Sequence, residues 1–213
     1  MVAASPVLVC HRGASALAPA NSLEAFRMAM EHGMDYSELD VHLGQRGELI
    51  VTHDAPIDAA AERQLPRLTD VFDLVRGRMG IYVELKGDAT GAALADLVHR
   101  GAAREVPLIV GSFRHELVTE VRKSAPEIPR SILFGGGWDV PAMVQACRNL
   151  DAAYAHPCFR PIDGDIVDGL HAAGLIAMTP HTNDAAEARQ FVNIHVDVIA
   201  SDDPYVLLPL RAC

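Results

Sequence analysis

The segment VLVCHRG at residues 7–13 is an apolar run that stops at the triplet His11-Arg12-Gly13. Two further apolar runs have the same character: one contains Glu38-Leu39-Asp40, and the next ends in His53-Asp54. We interpret each run as a buried strand that delivers polar residues to its carboxyl end. Because barrel enzymes keep their chemistry at the carboxyl ends of their strands, we expect these histidines, carboxylates and the arginine to share one site.

Short apolar runs alternate with amphipathic segments along the whole chain. The apolar runs predict strands at Val7–Cys10, Ser37–Leu43, Leu49–Thr52, Gly80–Leu85, Leu108–Ser112, Arg130–Phe134, Ala152–Ala155, Leu175–Thr179 and Val198–Ser201. The amphipathic segments predict helices at Ser22–His32, Leu68–Val75, Thr90–Arg100, His115–Ser124, Val140–Asn149, Asp163–Ala173 and Asp184–Val192, with a short helix at the end.

The turn segment Gly44-Gln45-Arg46-Gly47 predicts a hairpin between the second and third strands. With that extra strand set aside, the remaining elements make eight β/α units. Such a repeat is typical of a parallel sheet covered by helices, and eight units favour a closed barrel. We therefore predict an α/β fold, a TIM (β/α)8 barrel, as a single domain over residues 1–213.

The composition is that of an acidic globular protein. Half of the residues are hydrophobic and the formal net charge is −10. Nucleic acid is a poor partner for such a chain, because there is no surplus of lysine and arginine to neutralise phosphates. We expect a small molecule as the partner instead. The chain could act as a monomer or as a homodimer, since no helix shows an obviously exposed apolar stripe.

Cysteine usage and the amino terminus bear on the compartment. The four cysteines lack metal-ligand spacing, and we expect them to be reduced, small hydrophobic side chains: Cys10, Cys147, Cys158 and Cys213. No signal-peptide pattern precedes His11, and no run approaches the roughly 18 apolar residues of a membrane span. We therefore expect no stable membrane anchor and a cytoplasmic location.

Two carboxylates two residues apart on a strand point to the same face, as Glu38 and Asp40 do here. Facing into a barrel mouth they repel each other unless a cation joins them, and oxygen ligands suit Mg²⁺ or Ca²⁺. Glu84 and Lys86 repeat this spacing on the next parallel strand. Glu84 could be a third ligand and Lys86 could face an anionic substrate, although a salt bridge at the rim explains this second pair equally well.

Two histidines at one barrel mouth suit acid–base chemistry near neutral pH, which makes His11 and His53 candidates. Arg12 adds a planar donor for phosphate or carboxylate, or a simple partner for an acidic side chain. His42 shares the face of the carboxylate pair, and His181 ends a later strand. For these last two, an ordinary polar loop residue is at least as good an interpretation.

In this order and spacing, the motifs resemble those of the glycerophosphodiester phosphodiesterases, a family of TIM-barrel enzymes. The family pattern is HRG, a PENT-type turn, E-x-D-V and an apolar strand ending in HD, matched here by His11-Arg12-Gly13, Pro19-Ala20-Asn21-Ser22, Glu38-Leu39-Asp40-Val41 and Ile50-Val51-Thr52-His53-Asp54. Weaker matches follow at Pro66-Arg67-Leu68-Thr69-Asp70, Glu84-Leu85-Lys86, Gly111-Ser112-Phe113 and Asp202-Asp203-Pro204. The similarity thus spans nearly the whole chain.

The resemblance implies roles for seven of the residues singled out above. Two histidines act as acid and base, three carboxylates bind a divalent metal, Mg²⁺ or Ca²⁺, and two cations hold the phosphate; the matching residues are His11 and His53, then Glu38, Asp40 and Glu84, then Arg12 and Lys86. In the family's mechanism the glycerol 2-hydroxyl attacks phosphorus and expels the alcohol. Water then opens the cyclic phosphate to give glycerol 3-phosphate.

The chain departs from the family pattern at several positions. The acidic residue of PENT is Ala20, and the Thr and Asp that follow E-x-D-V are Gly44 and Arg46. The segment between His53-Asp54 and Pro66 is short, and W-T-x-N appears as Pro180-His181-Thr182-Asn183 without its tryptophan. A more open mouth could admit a larger or different phosphodiester.

These departures leave alternatives to metal-dependent hydrolysis of glycerophosphodiesters. One is a lysophospholipase D or cyclising phospholipase, which would act on substrates carrying an acyl chain. Another is a barrel that has lost catalysis and only binds a phosphorylated ligand. An aldolase or isomerase barrel ranks last, because Lys86 alone would have to carry a Schiff-base mechanism.

Overall fold

The computed structural model describes residues 5–55 and 58–212. Its strands are β1 Val7–Cys10, β2 Tyr36–Leu43, β3 Leu49–Val51, β4 Gly80–Leu85, β5 Leu108–Ser112, β6 Arg130–Phe134, β7 Tyr154–Pro157, β8 Ile176–Ala177 and β9 Val198–Ser201. Its helices are α1 Leu23–Glu31, α2 Ala59–Glu62, α3 Leu68–Val75, α4 Thr90–His99, α5 His115–Ser124, α6 Val140–Leu150, α7 Gly164–Ala172, α8 Ala185–Asn193 and α9 Pro204–Leu207, followed by a 3₁₀ turn at Leu208–Ala212.

The sheet is a TIM barrel. Eight parallel strands lie in the order β8-β7-β6-β5-β4-β2-β1-β9. A parallel bridge between Met178 and Val198 brings the two ends of this sheet together. β3 pairs antiparallel with β2 through the predicted hairpin, outside the eight-stranded path. The predicted fold class is thus confirmed.

Helix α1 shows how local sequence sets the elements. The hydroxyl of Ser22 accepts a hydrogen bond from the Ala25 amide at 3.1 Å, so the helix starts where a cap was predicted. Phe26 and Met30 are buried on the face toward the sheet. The helix ends before Gly33, whose φ of 69° continues the chain in the left-handed region.

The predicted boundaries differ from the structure by two residues at most, and one helix was missed. The largest shift is in β7, predicted at Ala152–Ala155, because α6 extends to Leu150 and Asp151 then turns at φ 51°. The short helix α2 was not predicted. It lies in the segment where the family resemblance indicated only a shortened loop.

The two faces of β2 separate the site from the core. Leu39 and Val41 are fully buried and belong to the cluster between strands and helices. Glu38 and Asp40 alternate with them and are also buried, on the inner face of the barrel. A second, smaller apolar cluster fills the barrel interior, with Tyr82 as its largest member. The carboxylate pair therefore lies on the face predicted from the spacing.

The three cysteines in the described residues form no disulfide. Burial raises the pKa of Cys10 and of Cys147 to about 12, which leaves both as thiols. The prediction for Cys213 lies outside the described residues. In the part of the chain that the structure describes, no helix has the length and apolar character needed to cross a bilayer.

Candidate active site

A cavity of about 290 Å³ opens at the carboxyl ends of the strands. Six of the seven residues predicted from the sequence line it: His11, Arg12, Glu38, His53, Glu84 and Lys86. The seventh, Asp40, has no exposed surface and contacts both cations of the set. The strand ends thus bring all seven predicted side chains to one place.

The turn after β1 is shaped by its backbone. Arg12 and Gly13 both have left-handed φ values, 57° and 78°. A Cβ on Gly13 would lie 2.6 Å from the Cβ of Ala25, so only glycine lets the turn pack against α1. In this conformation the amide of Arg12 donates a hydrogen bond to Oε2 of Glu38 at 3.0 Å. The strained turn therefore holds one of the site carboxylates.

Three carboxylates converge beneath the cavity. In the parallel register of β2 and β4, Asp40 lies beside Glu84, and Glu38 lies two residues earlier on the same face. One oxygen of each carboxylate lies within 4.8 Å of the other two. Burial raises the pKa of Glu38, and the negative charges of Asp40 and Glu84 raise it further. The cluster is therefore short of positive charge.

Two cations partly balance these charges. Nε of Arg12 lies 3.1 Å from Oδ2 of Asp40, and Nζ of Lys86 lies 3.3 Å from Oδ1. Lys86 also contacts Oε1 of Glu84 at 2.9 Å. With all three carboxylates ionised, two positive charges against three negative ones leave one negative charge. Oε1 of Glu38 is buried with no hydrogen-bond donor among the described residues. Buried charge in this state is costly unless a further cation joins it.

The donor set fits a hard divalent ion. All three side chains offer carboxylate oxygens, the ligands that Mg²⁺ and Ca²⁺ prefer. The unpartnered oxygen of Glu38 and the excess negative charge are both accounted for by such an ion. The arrangement is thus that of a candidate metal centre at the cavity floor.

His11 is held by a hydrogen-bond network that the sequence analysis did not predict. Its Nδ1 lies 2.7 Å from Oδ1 of Asp202, and that oxygen also accepts from the Ser15 hydroxyl at 2.9 Å. The other oxygen, Oδ2, accepts from the Asn183 amide at 2.7 Å. Burial opposes ionisation, but the hydrogen bonds from His11, Asn183 and Ser15 outweigh it and lower the pKa of Asp202. Asp202 appears in the sequence only as part of a weak motif.

His181 stacks on His11. The two ring centroids are 4.0 Å apart and the ring planes are inclined by 8°. This position confirms that His181 lines the cavity, one of the two interpretations open from the sequence. Burial lowers the pKa of His181, and the neighbouring His11 lowers it further. The stack belongs to the segment that departs from the family pattern.

His53 lies on the other wall of the cavity and is held more loosely. Its Nδ1 contacts Oδ1 of Asp54 at 2.9 Å, and both side chains are open to solvent. Nε2 of His42 lies 3.1 Å from the carbonyl oxygen of His53. His42 therefore lies behind the His53 backbone at the rim. The two histidines thus differ, since the partner of His11 is half-buried and that of His53 is exposed.

A buried histidine that was not singled out in the sequence also lines the cavity. Nε2 of His156 lies 2.9 Å from the Thr179 carbonyl oxygen, which can only accept, so this nitrogen carries the proton. Nδ1 then accepts from the Tyr82 hydroxyl at 3.2 Å. Burial lowers the pKa of His156 to about 4. The neutral ring packs in the barrel interior beside Tyr82. The sequence did not predict this position, because His156 is a single polar residue in an apolar strand.

Comparison with known proteins agrees with this geometry. Residues 11–97 match the sequence model of the Glycerophosphoryl diester phosphodiesterase family. A glycerophosphodiester phosphodiesterase from Caldanaerobacter subterraneus is 27% identical over 241 aligned residues, which cover 96% of this chain and 97% of that protein. The matched segment contains all seven residues predicted from the sequence.

Solved structures show the same fold. A phosphodiesterase from Oleispira antarctica, in complex with the product sn-glycerol-3-phosphate, superposes with a TM-score of 0.87 at 23% identity, covering 98% of this chain and 97% of that one. A glycerophosphodiester phosphodiesterase from Agrobacterium tumefaciens gives a TM-score of 0.76 at 26% identity, covering 98% and 100%. With the motif order, these likenesses lead to one conclusion: the chain is similar over nearly its whole length to glycerophosphodiester phosphodiesterases, and its residues 11–97 match the model of that family.

Proposed function

We propose that the protein hydrolyses glycerophosphodiesters to glycerol 3-phosphate and an alcohol, in a metal-dependent reaction. The observation that carries the proposal is the convergence of three carboxylates, two cations and two histidines on one cavity. The similarity to glycerophosphodiester phosphodiesterases supports the same reaction. The product bound to the Oleispira antarctica phosphodiesterase supports glycerol 3-phosphate as the product here.

In this proposal Glu38, Asp40 and Glu84 hold a divalent ion, Mg²⁺ or Ca²⁺. When bound, the ion supplies positive charge that stabilises the phosphoryl oxygens as negative charge builds on them. The carboxylates also set the charge of the site. Three negative side chains and two positive ones repel an anionic substrate until a cation is added, so we expect substrate binding to depend on the ion.

Arg12 and Lys86 are the proposed phosphate ligands. Both side chains line the cavity. Arg12 contacts Asp40, and Lys86 contacts Glu84. The guanidinium of Arg12 offers paired donors that match two phosphate oxygens, whereas the ammonium of Lys86 acts as a point charge. Together they orient the phosphodiester and stabilise the charge that develops on it during displacement.

His11 and His53 are the proposed acid and base. An ionised Asp202 can only accept, so the proton of neutral His11 lies on Nδ1 and the lone pair on Nε2. Nε2 lies on the cavity side, 3.9 Å from Oε2 of Glu38. One histidine takes the proton of the attacking hydroxyl, and the other gives a proton to the leaving alcohol oxygen.

The test is release of glycerol 3-phosphate from a panel of glycerophosphodiesters with Mg²⁺, Ca²⁺ or EDTA, with His11→Ala as the control. We expect metal-dependent release in the wild type and loss in the variant. If only lysophospholipids gave product, the substrates would be lipids with an acyl chain and not glycerophosphodiesters. Tight substrate binding without product at any metal concentration would leave a phosphate-binding barrel and overturn the proposal.

A further inference from the structure

We infer that His11, His181 and Asp202 form a second metal site, one for zinc or a similar transition metal. One nitrogen of each histidine and a carboxylate oxygen of Asp202 lie within 4.8 Å of one another. Two imidazoles and one carboxylate are a common protein ligand set for Zn²⁺, with a fourth position left for water. Nothing in the proposed hydrolysis requires this cluster to bind a metal.

The ligand chemistry separates this site from the carboxylate cluster. Glu38, Asp40 and Glu84 offer only oxygen and favour hard ions such as Mg²⁺. The second site offers two nitrogens, which favour Zn²⁺, Co²⁺ or Ni²⁺ over Mg²⁺. The sites are neighbours, since Nε2 of His11 lies 3.9 Å from Oε2 of Glu38. Each ion should therefore occupy its own site when both are present.

The geometry requires a modest local change. Donors around a tetrahedral zinc lie about 3.3 Å apart, given Zn–ligand distances near 2.0–2.1 Å. Nδ1 of His11 and Oδ1 of Asp202 are 2.7 Å apart and must separate slightly to admit the ion. His181 must rotate out of the stack so that its lone pair lies toward the ion. His181 lies on the irregular segment between β8 and α8, outside the strands and helices, so the rotation changes only its contact with His11 and leaves the barrel backbone in place.

Zinc at this site would inhibit the hydrolysis proposed above. Binding to Nδ1 of His11 moves the ring proton to Nε2, so the lone pair assigned to the reaction is lost. Nε2, now protonated, can no longer accept a proton while the ion is bound. This consequence depends on the proposed function, whereas metal binding itself does not.

The test is zinc binding by titration calorimetry in excess Mg²⁺, together with the visible spectrum of the Co²⁺ form. The key variant is His181→Phe, which keeps an aromatic ring against His11 and removes the ligand. Loss of a group that only hydrogen-bonds to a metal ligand already weakens metal affinity about 10–100-fold, so loss of the ligand itself should weaken it at least about tenfold. The wild type should bind one zinc ion in excess Mg²⁺.

Two controls decide between sites. His171→Ala removes the ring of a similar pair at the opposite end of the barrel, where Nε2 lies 2.8 Å from Oδ2 of Asp197, and should leave zinc affinity unchanged. Glu84→Gln should weaken Mg²⁺ binding but not zinc binding. Unchanged zinc affinity in His181→Phe, or its loss only in Glu84→Gln, would overturn the inference. Because these readouts measure binding, an inactive protein would not affect the result.

Discussion

Asp202 and His11 are 191 positions apart in the chain, and their side chains meet at 2.7 Å. The other oxygen of the carboxylate accepts a hydrogen bond from Asn183, so the carboxylate is held on both sides. This pairing sets both the tautomer and the direction of the imidazole. Within residues 5–55 and 58–212, the ring of His53 is paired only with the exposed carboxylate of Asp54. The barrel therefore positions one histidine of its candidate pair far more firmly than the other.

Asp202→Asn should lower kcat by about 10²-fold or more, since acid–base catalysis by one side chain is worth about 10²–10⁴-fold. An amide nitrogen facing Nδ1 favours the wrong tautomer of His11. KM should change little, because the phosphate is proposed to be bound by Arg12 and Lys86 and not by Asp202. The matched control is Asp203→Asn, where asparagine can still cap α9 in place of aspartate. Equal kcat in the two variants would remove the positioning role.

Mg²⁺ or Ca²⁺ should raise the melting temperature of the wild type. An ion at 100 times its dissociation constant stabilises the folded state by about 2.7 kcal/mol, which shifts Tm by about 5–10 °C in a chain of this size. Glu38→Gln should lose most of this shift, because it removes a buried ligand. Glu127→Gln is the control, as Glu127 is exposed on the surface. Absence of any shift in the wild type would contradict a metal centre at these carboxylates.

Much of the fold and of the candidate site is readable in the sequence. Strand ends, spacings of two and capping residues are local signals, and they located His11, the Glu38–Asp40 pair and Glu84. Contacts between distant segments leave no such signal. The Asp202 network and the stack on His181 exist only because β9 and β8 return to the side of β1 when the barrel closes. The roles assigned to these residues stay predictions.

His156 should make stability depend on pH. Burial lowers its pKa from 6.5 to about 4 in the folded protein, so between these values the unfolded chain binds the proton and the folded protein does not. Stability is therefore lost as pH falls from 6.5 toward 4, by about 2 kcal/mol between pH 7.5 and 5. The free energy of unfolding should be measured in urea at both pH values. Its decrease from pH 7.5 to pH 5 should be smaller in His156→Gln than in the wild type, by about 2 kcal/mol. His99→Gln, on the surface, should behave as the wild type.

Gly13→Ala should destabilise the protein more than Gly33→Ala, although both glycines have similar left-handed φ values, 78° and 69°. An alanine in that conformation costs about 1 kcal/mol, which is all that Gly33→Ala should lose, because its Cβ would meet nothing within 4 Å. At Gly13 the Cβ would lie 2.6 Å from that of Ala25, adding about 1–3 kcal/mol of overpacking. The displaced turn would also move Arg12 from Glu38, so metal affinity should fall with stability in urea unfolding and calorimetry. Equal losses in the two variants would mean that the turn relaxes without strain.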